Sequence, residues 1–202
     1  MHNLVFSNEG KRKYLTAVER SRLLASASSM SPHIATLCWT VAVTGLRISE
    51  ALALSAGNID FENRMIVTRC LKKRQPHVFR AIPIPDDLIE ALIAVHGIKT
   101  NGVGADGPLW PVSRMTAYRW IRHAMKLASI MGPHAMPKGL RHGFGVCAIQ
   151  SGVPLNMVQR WLGHADIRTT AIYTHAVGPE ERAIAAKMWS PDEFNSLATA
   201  LV

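Results

Sequence analysis

Cysteine is scarce in this sequence. Only three cysteines occur in 202 residues, at Cys38, Cys70 and Cys147. An odd number of widely separated cysteines excludes a disulfide framework, and their spacing matches no metal-binding motif. The sequence therefore predicts reduced thiols, as in a cytoplasmic protein, and no metal site.

Long hydrophobic runs are also absent. The longest apolar run, residues 34–43, has about half of the ~20 residues that a helix needs to span a bilayer. The first ten residues do not combine a basic start with an apolar segment, as a secretory signal does. We expect a buried helix at 34–43, no membrane partner and a cytoplasmic location.

Acidic residues are outnumbered by basic ones. The chain contains 14 Asp and Glu against 23 Lys and Arg, which gives a formal net charge of +9. Such a basic excess on a folded domain favours nucleic acid as the partner, because Lys and Arg displace the counterions of phosphates. With 48% hydrophobic and 18% charged residues, the chain is expected to be globular with one sizeable core.

Periodicity and capping signals predict a mainly α fold with a small antiparallel β-sheet. Thr16 and Glu19 form a capping box that starts the first helix, and Gly45 ends the second. Asp86 is expected to cap a later helix. Helices are predicted at residues 16–28, 31–45, 48–54, 86–95, 113–130, 140–150, 155–162, 167–174 and 179–189.

The β signal is confined to one part of the chain. Residues 65–69 and 78–84 are rich in β-branched and apolar residues, and they predict a hairpin with a basic tip. Residues 58–61 are a candidate third strand. Residues 97–108, with four glycines, predict a surface loop.

The sequence also divides along its length. Residues 1–13 are polar and basic and predict a flexible lead-in, with Lys11, Arg12 and Lys13 able to touch a phosphate backbone. Residues 14–178 are expected to form one folded domain. Residues 179–202 are predicted to be a C-terminal helix or tail.

The stretch from 137 to 175 concentrates groups that can act on a phosphodiester. Arg binds phosphate oxygens in a fork and stays charged, and a Tyr hydroxyl becomes a nucleophile where cations or a base activate it. Cations can stabilise a phosphorane without a metal. Asp166 is the single carboxylate of this stretch, so two-metal phosphoryl chemistry is not expected and no cofactor is predicted.

Four motifs resemble those of the tyrosine recombinase, or phage integrase, family, whose chemistry is shared with type IB topoisomerases. They are TGLRISEAL at 44–52, LRH at 140–142, LGH at 162–164 and TTAIYTH at 169–175. The resemblance implies that Arg47 and Arg141 bind the scissile phosphate, with Glu50 supporting Arg47. It further implies that His164 contacts the phosphate or assists proton transfer, and that Tyr173 becomes covalently attached to DNA.

Two positions depart from the usual family pattern. Lys138 stands where the second motif most often begins with His, although Lys also occurs there in relatives. The family uses a hairpin lysine to protonate the leaving 5′ oxygen, and Lys72 and Lys73 both qualify by position. Lys72 is favoured because neighbouring strand residues point to opposite faces and only one can face the site.

Further basic residues are candidates for DNA contacts. The predicted helix 113–130 leaves several arginines off its apolar face, and a basic helix face near a catalytic site could lie in a DNA groove. A solvated face explains any single one of them equally well. The candidate DNA-binding residues are Lys73, Arg74, Arg114, Arg119 and Arg122.

The resemblance implies a site-specific recombinase that cuts and rejoins double-stranded DNA through a 3′-phosphotyrosine. It implies a homo-oligomer, a tetramer on paired DNA sites, with an accessory DNA-bending protein as a further partner. The chain resembles single-domain members such as the fimbrial switch invertases, or a fragment of a longer protein. Residues 179–202 would pack either on a neighbouring protomer, as in the family, or on their own core.

Three alternatives compete with this interpretation. A type IB topoisomerase would use the same chemistry on one duplex. A helix-turn-helix regulator is compatible with residues 144–170, with Gly152 in the turn and Gln159, Arg160 and Trp161 on a recognition helix. A histidine metal site is disfavoured by the irregular spacing of its candidates, His134, His142, His164 and His175.

Overall fold

A computed structural model describes residues 5–70, 78–99, 107–175 and 185–188. Within these residues the chain is mainly α-helical, with one small antiparallel sheet, as the sequence predicts. The helices are α1 (Ala17–Ser28), α2 (Pro32–Thr44), α3 (Ile48–Ala51), α4 (Asp86–His96), α5 (Arg114–Leu127), α6 (Pro137–Gln150), α7 (Leu155–Leu162) and α8 (Arg168–Ala171). The strands are β1 (Ile59–Asp60), β2 (Met65–Arg69) and β3 (Phe79–Pro83), and 3-10 helices lie at Ala56–Asn58, Ile172–His175 and Ala186–Met188.

The ends of α1 and α2 follow from their capping residues. The Glu19 backbone N–H donates to Thr16 Oγ1 at 3.2 Å, and the Thr16 backbone N–H donates to Glu19 Oε2 at 2.9 Å, which completes the predicted capping box. Gly45 ends α2 in the left-handed conformation with φ 62°, where a side chain would also collide with Phe144. Both ends were predicted at these residues.

The sheet has the order β1-β2-β3, and both pairs are antiparallel. Ile66 pairs with Ile82 across β2 and β3, and both side chains are fully buried in the core. The predicted hairpin is therefore confirmed at its strands, and β1 is a two-residue version of the predicted third strand. The tip of the predicted hairpin, residues 71–77, lies outside the described residues. It carries Lys72, Lys73 and Arg74.

Other boundaries differ from the prediction by a few residues. α3 ends at Ala51, three residues before the predicted end. Pro85 is the N-cap of α4, so Asp86 is its first helical residue and was wrongly predicted as the cap. α6 begins at Pro137, because proline's fixed φ suits the first helical position and its missing N–H needs no partner there. The predicted helix 179–189 lies outside the described residues except at 185–188.

Residues 5–13 are folded onto the domain, which corrects the predicted flexible lead-in over this part. The Lys13 backbone N–H donates to the Val5 carbonyl at 2.8 Å, and Phe6 forms a β-bridge with Arg12. Val5 is fully buried in a small apolar cluster that includes Phe144 and Tyr173. This N-terminal segment therefore covers part of α6 and carries Lys13 to the same side as Tyr173.

An ion cluster anchors the N-terminal segment to α1. Arg12 donates to both carboxylate oxygens of Glu19, at 2.5 and 2.8 Å, and His134 Nε2 lies 3.1 Å from Glu19 Oε1. Burial by itself would raise the pKa of Glu19, but the hydrogen bonds from Arg12 and Thr16, together with the charges of Arg12 and His134, lower that pKa to about 2. The cluster thus joins three parts of the chain around one ionised carboxylate.

Glu19→Gln is expected to lower the free energy of unfolding by about 1–3 kcal/mol at pH 7. Because the pKa of Glu19 is depressed in the folded state, its contribution is present above the ordinary glutamate value near ~4.3 and is lost as the pH falls towards about 2. Urea unfolding at pH 7 and pH 2.5 measures this difference between wild type and variant. An equal difference at both pH values would contradict the assignment.

Among the described residues, no helix is both long enough and apolar enough to cross a bilayer.

Candidate active site

A cleft of about 660 Å³ gathers five of the residues that the sequence singles out as catalytic. It lies where the start of α3, the first turns of α6 and the segment after α7 meet. Arg114, at the start of α5, lines the same cleft. The five residues are Arg47, Lys138, Arg141, His164 and Tyr173.

Arg141 is held by two backbone carbonyls before any ligand is present. Its Nη1 donates to the Gly45 carbonyl at 2.5 Å, and its Nη2 donates to the Leu162 carbonyl at 2.7 Å. Burial, followed by the charge of Arg47, lowers the pKa of Arg141 to about 10, so the guanidinium is still charged at neutral pH. Arg141 therefore presents a fixed positive charge to the cleft and joins the ends of α2 and α7.

Glu50 is a fully buried carboxylate behind the cleft. It accepts hydrogen bonds from the backbone N–H and Nη1 of Arg47, at 2.9 and 2.8 Å, which matches its expected supporting role. It also accepts one from Arg80 Nη2 at 2.8 Å. Burial by itself would raise the pKa of Glu50, but the hydrogen bonds and charges of Arg80 and Arg47 outweigh it and hold that pKa below its usual value.

Arg80 is a member of the site that sequence analysis did not identify. It lies on β3 with its side chain 2% exposed, and its Nε donates to the Trp161 carbonyl at 2.8 Å. Its position shares the inward face of β3 with Ile82. A charged residue at an inward strand position was the available signal, because such a charge requires a buried partner.

Tyr173 is buried in the 3-10 helix that follows α8, with 2% of its surface exposed. Its hydroxyl lies 3.0 Å from Nδ1 of His142, a residue to which the sequence assigned no role. Burial raises the pKa of Tyr173 to about 12, although the charges of Arg141 and Arg47 oppose the increase. At neutral pH the hydroxyl is therefore protonated in the free protein.

His164 follows Gly163 directly after α7. Its backbone N–H donates to the Gln159 carbonyl at 3.1 Å, and its Nδ1 lies 2.9 Å from the hydroxyl of Thr170. Burial, followed by the charges of Arg141 and Arg47, lowers the pKa of His164 to about 3, so the ring is neutral at pH 7. When Nδ1 accepts from Thr170, Nε2 carries the proton and can act as a hydrogen-bond donor.

Lys138 is the second residue of α6, and its exposed side chain lines the cleft. Lys13, from the N-terminal segment, lines it as well. The sequence placed Lys13 only in a tail, because its route to the cleft depends on the burial of Val5. Among the described residues, no group of three or more His, Cys, Asp or Glu side chains could hold a metal ion.

The predicted DNA-binding residues are distributed over two places. Arg119 and Arg122 line a separate cavity of about 650 Å³ along α5. Tyr118 lines both this cavity and the cleft. Lys72, Lys73 and Arg74 lie outside the described residues. The two residues that flank their segment, Cys70 and Val78, line a cavity of about 240 Å³ together with His164.

Sequence comparison identifies the proteins to which the chain is similar. A family model described as the phage integrase family matches residues 13–178. The chain is 32% identical to the tyrosine recombinase XerD of Neisseria meningitidis over 173 residues, which cover 80% of this chain and 57% of that protein. It is 33% identical to XerD of Bradyrhizobium diazoefficiens, with 82% and 57% covered. The chain thus spans little more than half the length of these curated relatives.

Structural comparison agrees. The crystal structure of the XerA recombinase is similar with a TM-score of 0.74 and 26% identity, over 88% of this chain and 65% of that one. The catalytic domain of bacteriophage HP1 integrase shares the fold with a TM-score of 0.63 and 24% identity, over 85% and 93% of the two chains. Both comparisons agree with the motifs whose residues line the cleft, and the chain belongs to the phage integrase family.

Proposed function

We propose that this chain supplies the catalytic domain, residues 14–178, of a tyrosine-type site-specific recombinase that cuts and rejoins duplex DNA. The observation that carries the proposal is the cleft itself, which brings the Tyr173 hydroxyl together with the guanidinium groups of Arg47 and Arg141. A protein with this activity would work in the cytoplasm, on the DNA of the cell.

The cleft residues divide the chemistry between them. Tyr173 would attack the scissile phosphorus, forming a 3′-phosphotyrosine and releasing the 5′ oxygen of the next nucleotide. Arg47 and Arg141 would bind the two non-bridging oxygens, and His164 and Lys138 would add donors as charge develops on the phosphorane. Rejoining reverses the step with a 5′ hydroxyl as nucleophile, so the bond energy is kept in the covalent linkage.

The leaving 5′ oxygen needs a proton. We assign its donation to Lys72, with Lys73 as the alternative. Cys70 and Val78, the described residues on either side of these lysines, line a cavity with His164, which also lines the cleft. A bridging 5′ sulfur leaves as a thiolate without a proton, because thiols have a pKa near ~8.5. Such a substrate is expected to restore the cleavage rate of Lys72→Ala and not to change that of Lys73→Ala; the reverse pattern would identify Lys73.

The basic face of α5 would lie along the DNA backbone. Arg122 donates to the Ala135 carbonyl and is partly engaged, whereas Arg119 is exposed and lines the second cavity. Arg119→Ala is expected to weaken DNA binding several-fold and to reduce the slope of log affinity against log salt by about 1. Fluorescence anisotropy over a salt series measures both values, with Arg22→Ala on α1 as the control that should leave the slope unchanged.

A recombinase must also bring two sites together. We assign this step to a homotetramer on paired sites, with residues 179–202 packing on a neighbouring protomer and a DNA-bending protein as accessory partner. Sedimentation of the DNA complex with and without residues 179–202 tests whether this segment packs on a neighbouring protomer. An unchanged assembly after truncation would instead place this segment on its own core.

Covalent trapping tests the function directly. Nicked duplexes prepared from DNA flanking the gene are incubated in EDTA with wild type or Tyr173→Phe and separated on a denaturing gel. A protein–DNA adduct from wild type alone is the expected result. A DNA that is bound without any adduct would favour the helix-turn-helix regulator or a domain that is inactive without its partner. Relaxation of a supercoiled plasmid without joining of two sites would favour a topoisomerase.

A further inference from the structure

The contact between His142 and Tyr173 has no part in the chemistry described so far. His142 Nδ1 lies 3.0 Å from the Tyr173 hydroxyl, and both residues are buried, at 8% and 2% exposure. They come from different elements, α6 and the last 3-10 helix, and they are separated by 31 positions. The residue next to a phosphate-binding arginine therefore touches the nucleophilic atom itself.

Both partners of this hydrogen bond are neutral in the free protein. Burial, followed by the charges of Lys138, Arg141 and Lys13, lowers the pKa of His142 to about 4, so its ring is neutral at pH 7. Tyr173 keeps its proton under the same conditions. In the tautomer that carries its proton on Nε2, Nδ1 is the acceptor and the Tyr173 hydroxyl donates to it.

The other ring nitrogen of His142 lies in the protein interior. His142 Nε2 is buried and has no hydrogen-bond partner among the residues that the structure describes. Within those residues, the contact with Tyr173 is therefore the one hydrogen bond of the ring. Buried polar atoms without partners are rare in native structures, and a catalytic role is one explanation for such an atom.

DNA would change the charges that surround His142. The groups facing it are Lys138 and Arg141 on α6, Lys13 on the N-terminal segment, His164 after α7 and Tyr173 itself. Three of them are cations, which disfavour a proton on His142 in the free protein. A phosphodiester in the cleft offsets these charges, so the ring becomes a stronger base when the substrate is in place.

We infer that His142 is the general base that removes the proton from the Tyr173 hydroxyl during DNA cleavage. This inference rests on the proposed function. As the bond between Tyr173 Oη and phosphorus forms, the Oη–H bond breaks and its proton moves to Nδ1. The bond between phosphorus and the 5′ oxygen breaks, and that oxygen takes the electron pair and a proton from the hairpin lysine. On rejoining, His142 returns its proton to Tyr173.

His142→Asn separates proton transfer from hydrogen bonding. The asparagine side chain can place an oxygen near the Nδ1 position and still accept from Tyr173, but it cannot take the proton. Single-turnover adduct formation is measured at saturating DNA on a nicked duplex with a bridging 5′ sulfur at the scissile phosphate. With that leaving group the rate reports on the nucleophile alone, because no acid is needed.

The expected results are a rate and a pH profile. His142→Asn should form adduct about 10²- to 10⁴-fold more slowly than wild type at pH 7.5, with unchanged DNA affinity. The wild-type rate should change little between pH 7.5 and 9. The rate of His142→Asn should rise about tenfold per pH unit, because hydroxide then replaces the base. His33→Asn, on α2 outside the cleft, is the matched control with wild-type behaviour.

Each result decides the question. A His142→Asn rate that equals wild type, or that has the same flat profile, overturns the inference, and a faster rate would show that His142 restrains the nucleophile instead. If His142→Asn does not fold, His142→Ala with added imidazole replaces it, and rescue in proportion to free imidazole is expected. An adduct made by wild type but not by Tyr173→Phe upholds the proposed function whatever His142 does.

Discussion

Replacing Glu50 by alanine is expected to lower the free energy of unfolding by about 3–5 kcal/mol. The carboxylate is fully buried and bonds to Arg47 and Arg80, and Arg141 Nη1 lies 4.0 Å from its Oε2. Removing it leaves the Arg80 guanidinium, whose side chain is 2% exposed, without a counter-charge in the interior. The loss comes from that uncompensated charge and exceeds the net contribution of the ion pair.

Urea unfolding at pH 7 measures the effect. Glu90→Ala removes an exposed carboxylate from α4 and should change the free energy of unfolding by no more than about 0.5 kcal/mol. The double variant Glu50→Leu with Arg80→Met should lose less than Glu50→Ala alone, because the Arg80 charge is then no longer left buried without a partner. A loss below about 1 kcal/mol for Glu50→Ala would contradict the structural role given to this carboxylate.

Gly145→Ala is expected to reduce the rate of covalent adduct formation by about 100-fold. A Cβ at this position of α6 would lie 2.5 Å from Cε2 of the Tyr173 ring, which is closer than two non-bonded carbon atoms can approach. The ring must move away, and displacement of a reacting group by about 1 Å can cost about 10²-fold in rate. The free energy of unfolding should fall by about 1–3 kcal/mol from the same overpacking.

Single-turnover trapping on the nicked duplex gives the rate, at a temperature where melting curves show the variant fully folded. Gly57→Ala is the matched control, because a Cβ there meets only Ser55 Oγ, at 3.8 Å. It should keep the wild-type rate. A Gly145→Ala protein as fast as wild type would mean that Tyr173 does not react from the position it occupies in this structure.

The sequence predicted what is encoded locally. The α1 and α2 ends follow from Thr16, Glu19 and Gly45, whose capping chemistry acts within one turn of the chain. The motifs that carry Arg47 and Tyr173 are also local, because each is contiguous in the sequence, and they predict residues of the cleft. Their meeting in one cleft of the structure agrees with the family comparison.

Contacts between distant segments were not predicted. The role of Arg80 depends on Trp161, 81 positions away, and that of His142 depends on the packing of the final 3-10 helix against α6. Residues 5–13 are mostly polar, so the sequence predicts a tail. Their placement depends on two apolar residues, Val5 and Phe6, and only the fold shows what these side chains cover. Side chains that act through tertiary partners have no signature in a single local pattern.

The arginines of the cleft have a consequence for how this protein can evolve and be engineered. The charges of Arg47 and Arg141 repel each other, but the hydrogen bonds of Arg47 to Glu50 and of Arg141 to the Gly45 and Leu162 carbonyls hold both side chains in place. Substitution of either arginine should therefore weaken the fold as well as the chemistry, because Arg141 joins the ends of α2 and α7 and Arg47 is a partner of the buried Glu50. A collection of variants selected for thermal stability alone should for that reason retain both arginines, even when DNA cleavage is not selected.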